Sequence, residues 1–313
     1  MAENEQWEHK LITDLATAAL KEQRRARRWG IFFKLLTFAY ITLAVLFAVD
    51  WKGRGDGGGK HTAMVEVTGI IAPGADASAE KVTSALQAAF KDKNTQGVVV
   101  RINSPGGSPV QAQTIYDEMR RLRQKYPDIP LYAVVEDICA SGGYFIAVGA
   151  DRIYVSKSSL VGSIGVIMNG FGFTGLMDKL GVDRRLITSG ENKAFLDPFS
   201  PVEPKHVEFA KQLAAEIHQQ FISVVREGRG KRLKESPDTF SGLIWSGQKS
   251  VELGLADGIG SLDYVAREVI KAEEIVDYTE KERILEKVAR RFGASMGSAL
   301  AEYALRYSPG LLR

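Results

Sequence analysis

Residues 131–150 read LYAVVEDICASGGYFIAVGA, and this stretch decides the class of fold. Its first part has the length and composition of a buried strand, and its second part is apolar without strand alternation, which is typical of a buried helix. Ser141 lies at the junction, where the free N–H groups of a helix N-terminus favour negative charge. A serine nucleophile needs that environment, because its tetrahedral intermediate carries an oxyanion. A plain N-cap beside glycines that permit a tight turn explains the same residues.

Strand-like and helix-like segments alternate on both sides of this stretch, which predicts an α/β domain with a mostly parallel sheet. Active sites in such folds lie beyond the carboxyl ends of the strands, where both Asn103 and Ser141 fall. The other predicted strands are residues 64–71, 97–103, 151–155, 164–168 and 182–188, and the other predicted helices are residues 78–90, 109–125, 175–180 and 204–227.

The loop after the second strand, residues 103–108, reads NSPGGS. Its proline fixes the entry to the turn, and its glycines allow backbone N–H groups to point outward. Such amides can form an oxyanion hole, whereas a turn without chemistry explains the same loop. A phosphate-binding loop is excluded by the missing Gly-x4-Gly-Lys-Ser/Thr spacing.

A serine nucleophile also needs a base. None of the four histidines, His9, His61, His206 and His218, lies in a motif of its own, so a Ser-His-Asp triad is poorly supported. A lysine can serve when burial keeps it neutral. Lys193 lies in the segment TSGENKAFLDPF, residues 188–199, with apolar neighbours that are unusual for a loop lysine. An ordinary surface lysine is the competing interpretation.

The N-terminal region predicts a membrane anchor. Residues 21–28 are rich in Lys and Arg, and the apolar residues 31–49 that follow are long enough to span a bilayer. Trp29 and Trp51 flank them at the positions of interface anchors, and the basic run places the N-terminus in the cytoplasm. A buried soluble helix or a cleaved signal peptide fits this pattern less well, since the segment begins far from Met1 and no clean cleavage site follows it.

Composition narrows the classes of function. The chain has 313 residues and a formal net charge of +3, which argues against a nucleic-acid binder. Cys139 is its single cysteine, so no intramolecular disulfide forms. The sequence offers no Cys/His cluster for a metal, and we expect neither metal nor cofactor.

Five motifs in this order resemble signal peptide peptidase A, a family of membrane-anchored Ser-Lys proteases (peptidase family S49) related in fold to Clp proteases and crotonases. The resemblance spans roughly residues 60 to 275. The motifs are NSPGG at 103–107, ASGGY at 140–144, VGSIGV at 161–166, SGENK at 189–193, and WSGQ at 245–248 running on to GLAD at 254–257.

The resemblance implies that Ser141 is the nucleophile, Lys193 the general base and Ser163 a serine that positions the lysine. Gly106, Gly107 and Gly142 are the candidates for the oxyanion hole. It also implies homo-oligomeric rings, in which the lysine that serves one serine can come from the neighbouring subunit. The expected substrates are peptides, including released signal peptides.

The expected organisation has five parts. A cytoplasmic segment (1–30), a transmembrane signal anchor (31–50) and a Gly-rich tether (51–60) precede a Clp/crotonase-like Ser-Lys protease domain (61–275) and a basic helical tail (276–313). We expect a single-pass protein of the bacterial cytoplasmic membrane, with the bilayer as a partner through residues 31–49 and the protease domain outside. A Ser-Lys protease with other substrates, a crotonase-type acyl-CoA enzyme and a silent scaffold are the alternatives.

Overall fold

The computed structural model describes residue 17, residues 21–43 and residues 59–280. The chain divides into two compact units, residues 1–56 and residues 57–313, each described by itself. In the first unit, residues 21–43 form helix α1, which runs from the basic segment into the apolar one. Within the described residues, no helix is long and apolar enough to cross a membrane. Most of the predicted cytoplasmic segment, residues 44–50 of the predicted anchor, residues 51–58 of the tether and residues 281–313 of the tail lie outside the described residues.

The second unit alternates strands and helices as predicted. The strands are β1 (His61–Ile71), β2 (Thr95–Gly107), β3 (Leu131–Ala140), β4 (Arg152–Val155), β5 (Leu160–Gly162), β6 (Ile244–Ser246), β7 (Gly258–Ile259) and β8 (Ile275–Asp277). The helices are α2 (Ala79–Lys91), α3 (Pro109–Lys125), α4 (Gly142–Ala147), α5 (Thr174–Leu180), α6 (Pro204–Arg229), α7 (Gly247–Glu252) and α8 (Leu262–Tyr264). Helix α6 continues into a 3-10 turn (Gly230–Arg232), and α8 into a π-helical turn (Val265–Ile270).

The sheet is parallel except at one edge, as the alternation of strands and helices predicts. Its order is β6-β5-β3-β2-β1-β8, with β4 also paired to β3 and β7 to β4. Only β6 runs antiparallel among the described strands, against β5. On β2, Val98, Val100 and Ile102 enter the main core with α2, α3 and α4, whereas Val99 enters a smaller cluster with Val265 on the opposite face.

Strand β3 pairs with two successive neighbours along one edge. Tyr132 to Val135 pair with β4, and Ile138 to Ala140 pair with β5. The carboxyl ends of β2, β3 and β5 therefore lie side by side. This arrangement brings the NSPGG, ASGGY and VGSIGV motifs to one edge of the sheet.

Two predicted strands are wrong. Strand β5 ends at Gly162, and residues 164–168 leave the sheet because Ser163, which follows it, has a φ angle of 51°, outside the strand region. Residues 182–188 are all exposed and pair with no strand in the described part of the chain. Their apolar pattern resembles a strand, but an unpaired strand has no partner for its backbone N–H and C=O groups.

A buried ion pair ties the end of α6 to the sheet. Arg229 is 1% exposed and contacts Asp257 through two hydrogen bonds of 2.7 and 2.9 Å. The Asp257 carboxylate also accepts a 2.7 Å bond from the Ile153 amide. Burial opposes ionisation of Asp257, but the hydrogen bonds and the charge of Arg229 outweigh it and lower the pKa of this carboxyl.

Substitution of Asp257→Asn is expected to lower the free energy of unfolding by about 3 to 5 kcal/mol, because it leaves the Arg229 charge buried without its counterion. The ion pair's contribution is present above the ordinary Asp pKa of 3.8 and is lost as the pH falls through the lowered folded value. Denaturant unfolding at pH 7 measures the loss. Glu252→Gln, which removes the exposed ion pair with Lys249, is the control and should cost at most about 1 kcal/mol. A loss for Asp257→Asn no larger than that of the control would contradict this assignment.

Candidate active site

Ser141 is held in a strained backbone conformation at the end of β3. Its φ and ψ are 51° and −121°, and it stands directly before α4. The Ser141 amide donates to the Gly162 carbonyl at 2.9 Å, and the Ser141 carbonyl accepts from Phe145 N–H at 2.9 Å. A conformation of this kind costs about 1 to 3 kcal/mol in a residue other than glycine and is concentrated at functional sites. Ser141 occupies the N-cap position, yet within the described residues its hydroxyl makes no capping hydrogen bond. The plain N-cap interpretation therefore fails.

The three predicted oxyanion glycines converge beside Ser141. Gly106 has a φ of 102°, and a Cβ atom added to it would stand 2.8 Å from Ser141 Cβ and 2.7 Å from the Gly142 nitrogen. A Cβ on Gly142 would stand 3.3 Å from the Gly107 nitrogen. Backbone amides of two different loops thus lie close to the candidate nucleophile. The spacing leaves no room for a side chain at Gly106.

One of these amides is already engaged. Ser104 is completely buried, and its hydroxyl donates to the Gly69 carbonyl at 2.6 Å while accepting from Gly106 N–H at 3.1 Å. A hydroxyl has a single proton, so this double contact fixes its orientation. The amides of Gly107 and Gly142 are the ones left as candidates to bind an oxyanion. The sequence shows Ser104 only as part of a turn motif, because its role depends on the neighbouring strand β1.

Ser163 directly follows β5, the strand that pairs with the end of β3 before Ser141. Ala140 pairs with Gly162, so both serines directly follow paired positions of β3 and β5. Ser163 has a φ of 51°, like Ser141, and its amide donates to the Leu243 carbonyl at 2.8 Å. The ASGGY and VGSIGV motifs thus place two serines with positive φ angles just beyond the ends of two adjacent strands.

A cavity of about 460 Å³ opens beside Ser141. Its apolar wall is formed by side chains from α3, α4 and α6, including Val110, Phe145, Ile217 and Phe221. Among the described residues, those that line the cavity include no Asp, Glu, Lys, Arg or His. The cavity can therefore take an uncharged side chain next to the reacting serine.

Lys193 does not line this cavity and is exposed. Its neighbour Asn192 accepts a hydrogen bond from His206, in the first turn of α6, at 3.3 Å. The cavity contacts the same helix at Ile217, eleven residues further on, which is about 16 Å along the axis. Lys193 therefore lies by the start of α6, whereas the cavity lies along its middle. Within one chain, Lys193 is not among the residues that surround Ser141 in the cavity.

His218, His61 and Cys139 do not take the place of the lysine. His218 bonds the Ile164 carbonyl at 3.1 Å, so its Nε2–H is a donor there, and His61 contacts Gly59 and Tyr278 instead. Burial raises the pKa of the Cys139 thiol, which keeps it un-ionised two residues before Ser141. Across the residues that the structure describes, no group of three or more His, Cys, Asp or Glu could hold a metal ion.

Two family models match the chain. The model of peptidase family S49 matches residues 123–276, and that of Clp protease matches residues 64–160. The matched stretches include Ser141, Ser163, Lys193 and the three candidate glycines.

Known proteins similar to the chain include named and candidate proteases. A candidate protease of Synechocystis is 35% identical over 202 residues, which are 64% of this chain and 70% of that protein. A candidate signal peptide peptidase of Enterococcus faecium is 29% identical over 228 residues, 70% of this chain and 66% of that protein. A Brucella melitensis protein named as the Na(+)/H(+) antiporter NhaA is 47% identical over 177 residues, 56% of this chain. The chain spans only about a quarter of that protein's length.

Proposed function

Because the chain belongs to peptidase family S49, as its motifs predicted, we propose that it is a serine endopeptidase with Ser141 as the nucleophile. One observation carries this proposal. Ser141 has a strained backbone, its hydroxyl makes no capping hydrogen bond within the described residues, and it lies beside the Gly107 and Gly142 amides. A serine forced into this conformation presents its hydroxyl where preorganised amides can stabilise an oxyanion.

The reaction is acyl transfer in two steps. Neutral Lys193 removes the proton from Ser141 Oγ, which attacks the peptide carbonyl, and the two amides bind the resulting oxyanion. The lysine returns the proton to the leaving amine, so the peptide bond breaks and an acyl-enzyme remains. The lysine then takes a proton from water as the water attacks the ester carbonyl. The bond from the carbonyl carbon to Ser141 Oγ breaks, the lysine returns the proton to Oγ, and the acid product is released. Ser163 positions the lysine, and all steps use groups of the protein and water.

The lysine comes from a neighbouring subunit. Lys193 is exposed in the single chain and separated from the Ser141 cavity along α6. A lysine base must be neutral, and a solvated ammonium is not. Docking of a second copy would have two effects: it would exclude water from Lys193, and it would bring Lys193 of one copy to Ser141 of the other.

The exposed apolar side chains of residues 167–202 support this assembly. Helix α5, within the segment, buries none of its seven residues. Ile167, Phe171 and Ile187 are 83%, 81% and 95% exposed. Apolar exposure on this scale marks an interaction surface, and a second copy is the partner that the missing lysine requires. We propose a homo-oligomeric ring with sites shared between subunits.

The substrates are extended apolar peptides, including released signal peptides, and the protein is held at the outer face of the bacterial cytoplasmic membrane. The uncharged cavity beside Ser141 suits apolar side chains. Residues 31–50 are proposed as the anchor, since an apolar run follows the basic residues 21–28. The same active site could serve a Ser-Lys protease with other protein substrates, and cleavage of apolar peptides of graded length separates the two.

Casein cleavage by the detergent-solubilised full chain tests the activity. We expect cleavage by the unaltered protein and at least about a 10⁴-fold lower rate for Ser141→Ala and for Lys193→Ala, because each removes a group that acts directly on the reacting atoms. Wild-type activity in Lys193→Ala would refute the assignment of the base. An inactive unaltered protein would favour the scaffold interpretation.

A further inference from the structure

His206 is an unexpected buried residue at the start of an exposed stretch of helix. It is 6% exposed, whereas the other buried residues of α6, from Phe221 onward, lie in its last three turns. A histidine is seldom buried alone on a solvated helix without a contact that requires it. The contacts of His206 are with the loop that carries Lys193.

Two contacts join His206 to this loop, one on each side of Lys193. The His206 Nε2–H donates to Asn192 Oδ1 at 3.3 Å. The Phe195 ring meets the His206 ring edge-on, with centroids 5.4 Å apart, and also contacts Phe209. Lys193 lies between these two attachment points, and its own side chain is left exposed.

The loop has its own local turns, but they do not fix it to the helix. Lys193 N–H donates to the Gly190 carbonyl and Phe195 N–H to the Asn192 carbonyl, both at 3.1 Å. These bonds set the shape of the loop. Four contacts place the loop on α6: His206 with Asn192 and with Phe195, Phe209 with Phe195, and an exposed ion pair of Lys205 with Glu191. Of the residues that α6 contributes to these contacts, only His206 is buried.

We infer that His206 is a positioning residue for the general base, holding the Lys193 loop on α6 through Asn192 and Phe195. The inference rests on the proposed function, because it assumes that Lys193 is the base. A lysine that must reach a serine on another subunit has to project from a fixed point, and a misplacement of about 1 Å can cost about 100-fold in rate. His206 provides that fixed point without contacting the substrate.

The first test compares three substitutions by casein cleavage. We expect His206→Ala to lower kcat about 10- to 100-fold with little change in KM. His206→Gln should recover most of the rate, because its side-chain amide can donate from nearly the position of Nε2. His206→Asn has the same chemistry but a shorter side chain and should not recover it. Equal rates for His206→Gln and His206→Asn would contradict the role of the Nε2–H bond.

Two further variants serve as a second test and as a control. Asn192→Ala, at an exposed position, should reproduce the loss of His206→Ala without disturbing buried packing. Lys205→Ala removes exposed ion pairs with Glu191 on the same loop and with Glu203, and should keep the rate within about twofold of wild type. An unaltered rate in both His206→Ala and Asn192→Ala would overturn the inference.

The most direct experiment introduces His206→Ala into only one of the two chains of a mixed assembly. Ser141→Ala chains supply the lysine and Lys193→Ala chains supply the serine. We expect His206→Ala to lower the recovered activity when it is in the lysine-supplying chain and to have no effect in the serine-supplying chain. Equal loss in both places would show a general structural role and overturn the inference. Failure of the assembly to recover activity without His206→Ala would instead count against the shared site of the proposed function.

Discussion

Mixing the two inactive variants, Ser141→Ala and Lys193→Ala, is expected to restore casein cleavage. In a ring with one kind of interface, a site is complete where an intact serine faces an intact lysine. Random assembly of equal amounts makes about one interface in four complete, so the recovered rate should be about a quarter of wild type. The physical reason is that Lys193 lies beside the first turn of α6, is exposed, and is not among the residues that line the Ser141 cavity of its own chain.

The control for this mixture removes the lysine from both partners. Lys193→Ala chains are mixed with chains that carry both Ser141→Ala and Lys193→Ala, under the same conditions of dissociation and reassembly. This assembly has the same mass and the same serine content, and it should stay inactive. If wild type is active but the mixture of Ser141→Ala and Lys193→Ala chains is not, each chain completes its own site, which would contradict the shared site.

Substitution of Gly106→Ala is expected to abolish cleavage while leaving most of the fold intact. The added methyl group would stand 2.7 Å from the Gly142 nitrogen and 2.8 Å from Ser141 Cβ, so either the nucleophile or the oxyanion amides must move. Loss of a single oxyanion donor costs about 10² to 10³ in kcat, and displacement of the serine adds to that. We therefore expect a fall in kcat of at least about 10³-fold, measured on casein with folding followed by circular dichroism.

The matched control for Gly106→Ala is Gly74→Ala. Gly74 also has a positive φ, 75°, but a Cβ there would meet no atom within 4 Å. Both substitutions place an alanine at a positive φ, but only the methyl group on residue 106 would collide with Ser141 and Gly142. Comparable activities in the two variants would contradict the placement of Gly106 against Ser141.

Much of the fold around Ser141 was predictable because it is local or strongly patterned. Helix α3 has the predicted bounds, since a proline at its first residue and a break after Lys125 mark both ends. The buried strands β2 and β3 were found from their apolar runs. Because parallel strands end at the same edge, the motifs at Asn103 and Ser141 were expected to meet, and they do.

The remaining features depend on contacts that the sequence does not encode locally. Residues 182–188 have the composition of a strand, but they pair with no strand among residues 59–280. The engagement of the Gly106 amide by Ser104 requires knowledge of where Gly69 lies on β1. The predicted burial of Lys193 is not met within one chain, because the surface that would cover it belongs to another copy in our account.

The central claim is that Ser141 is a nucleophile activated by Lys193, and covalent labelling tests it most directly. The solubilised protein is treated with a fluorophosphonate, which attaches to an activated serine hydroxyl and releases fluoride, and the labelled peptide is identified by mass spectrometry. We predict a single phosphonyl adduct on Ser141 in the wild type and in the mixed assembly, and none in Lys193→Ala alone. An adduct on a different serine, or undiminished labelling of Ser141 in Lys193→Ala, would contradict the account.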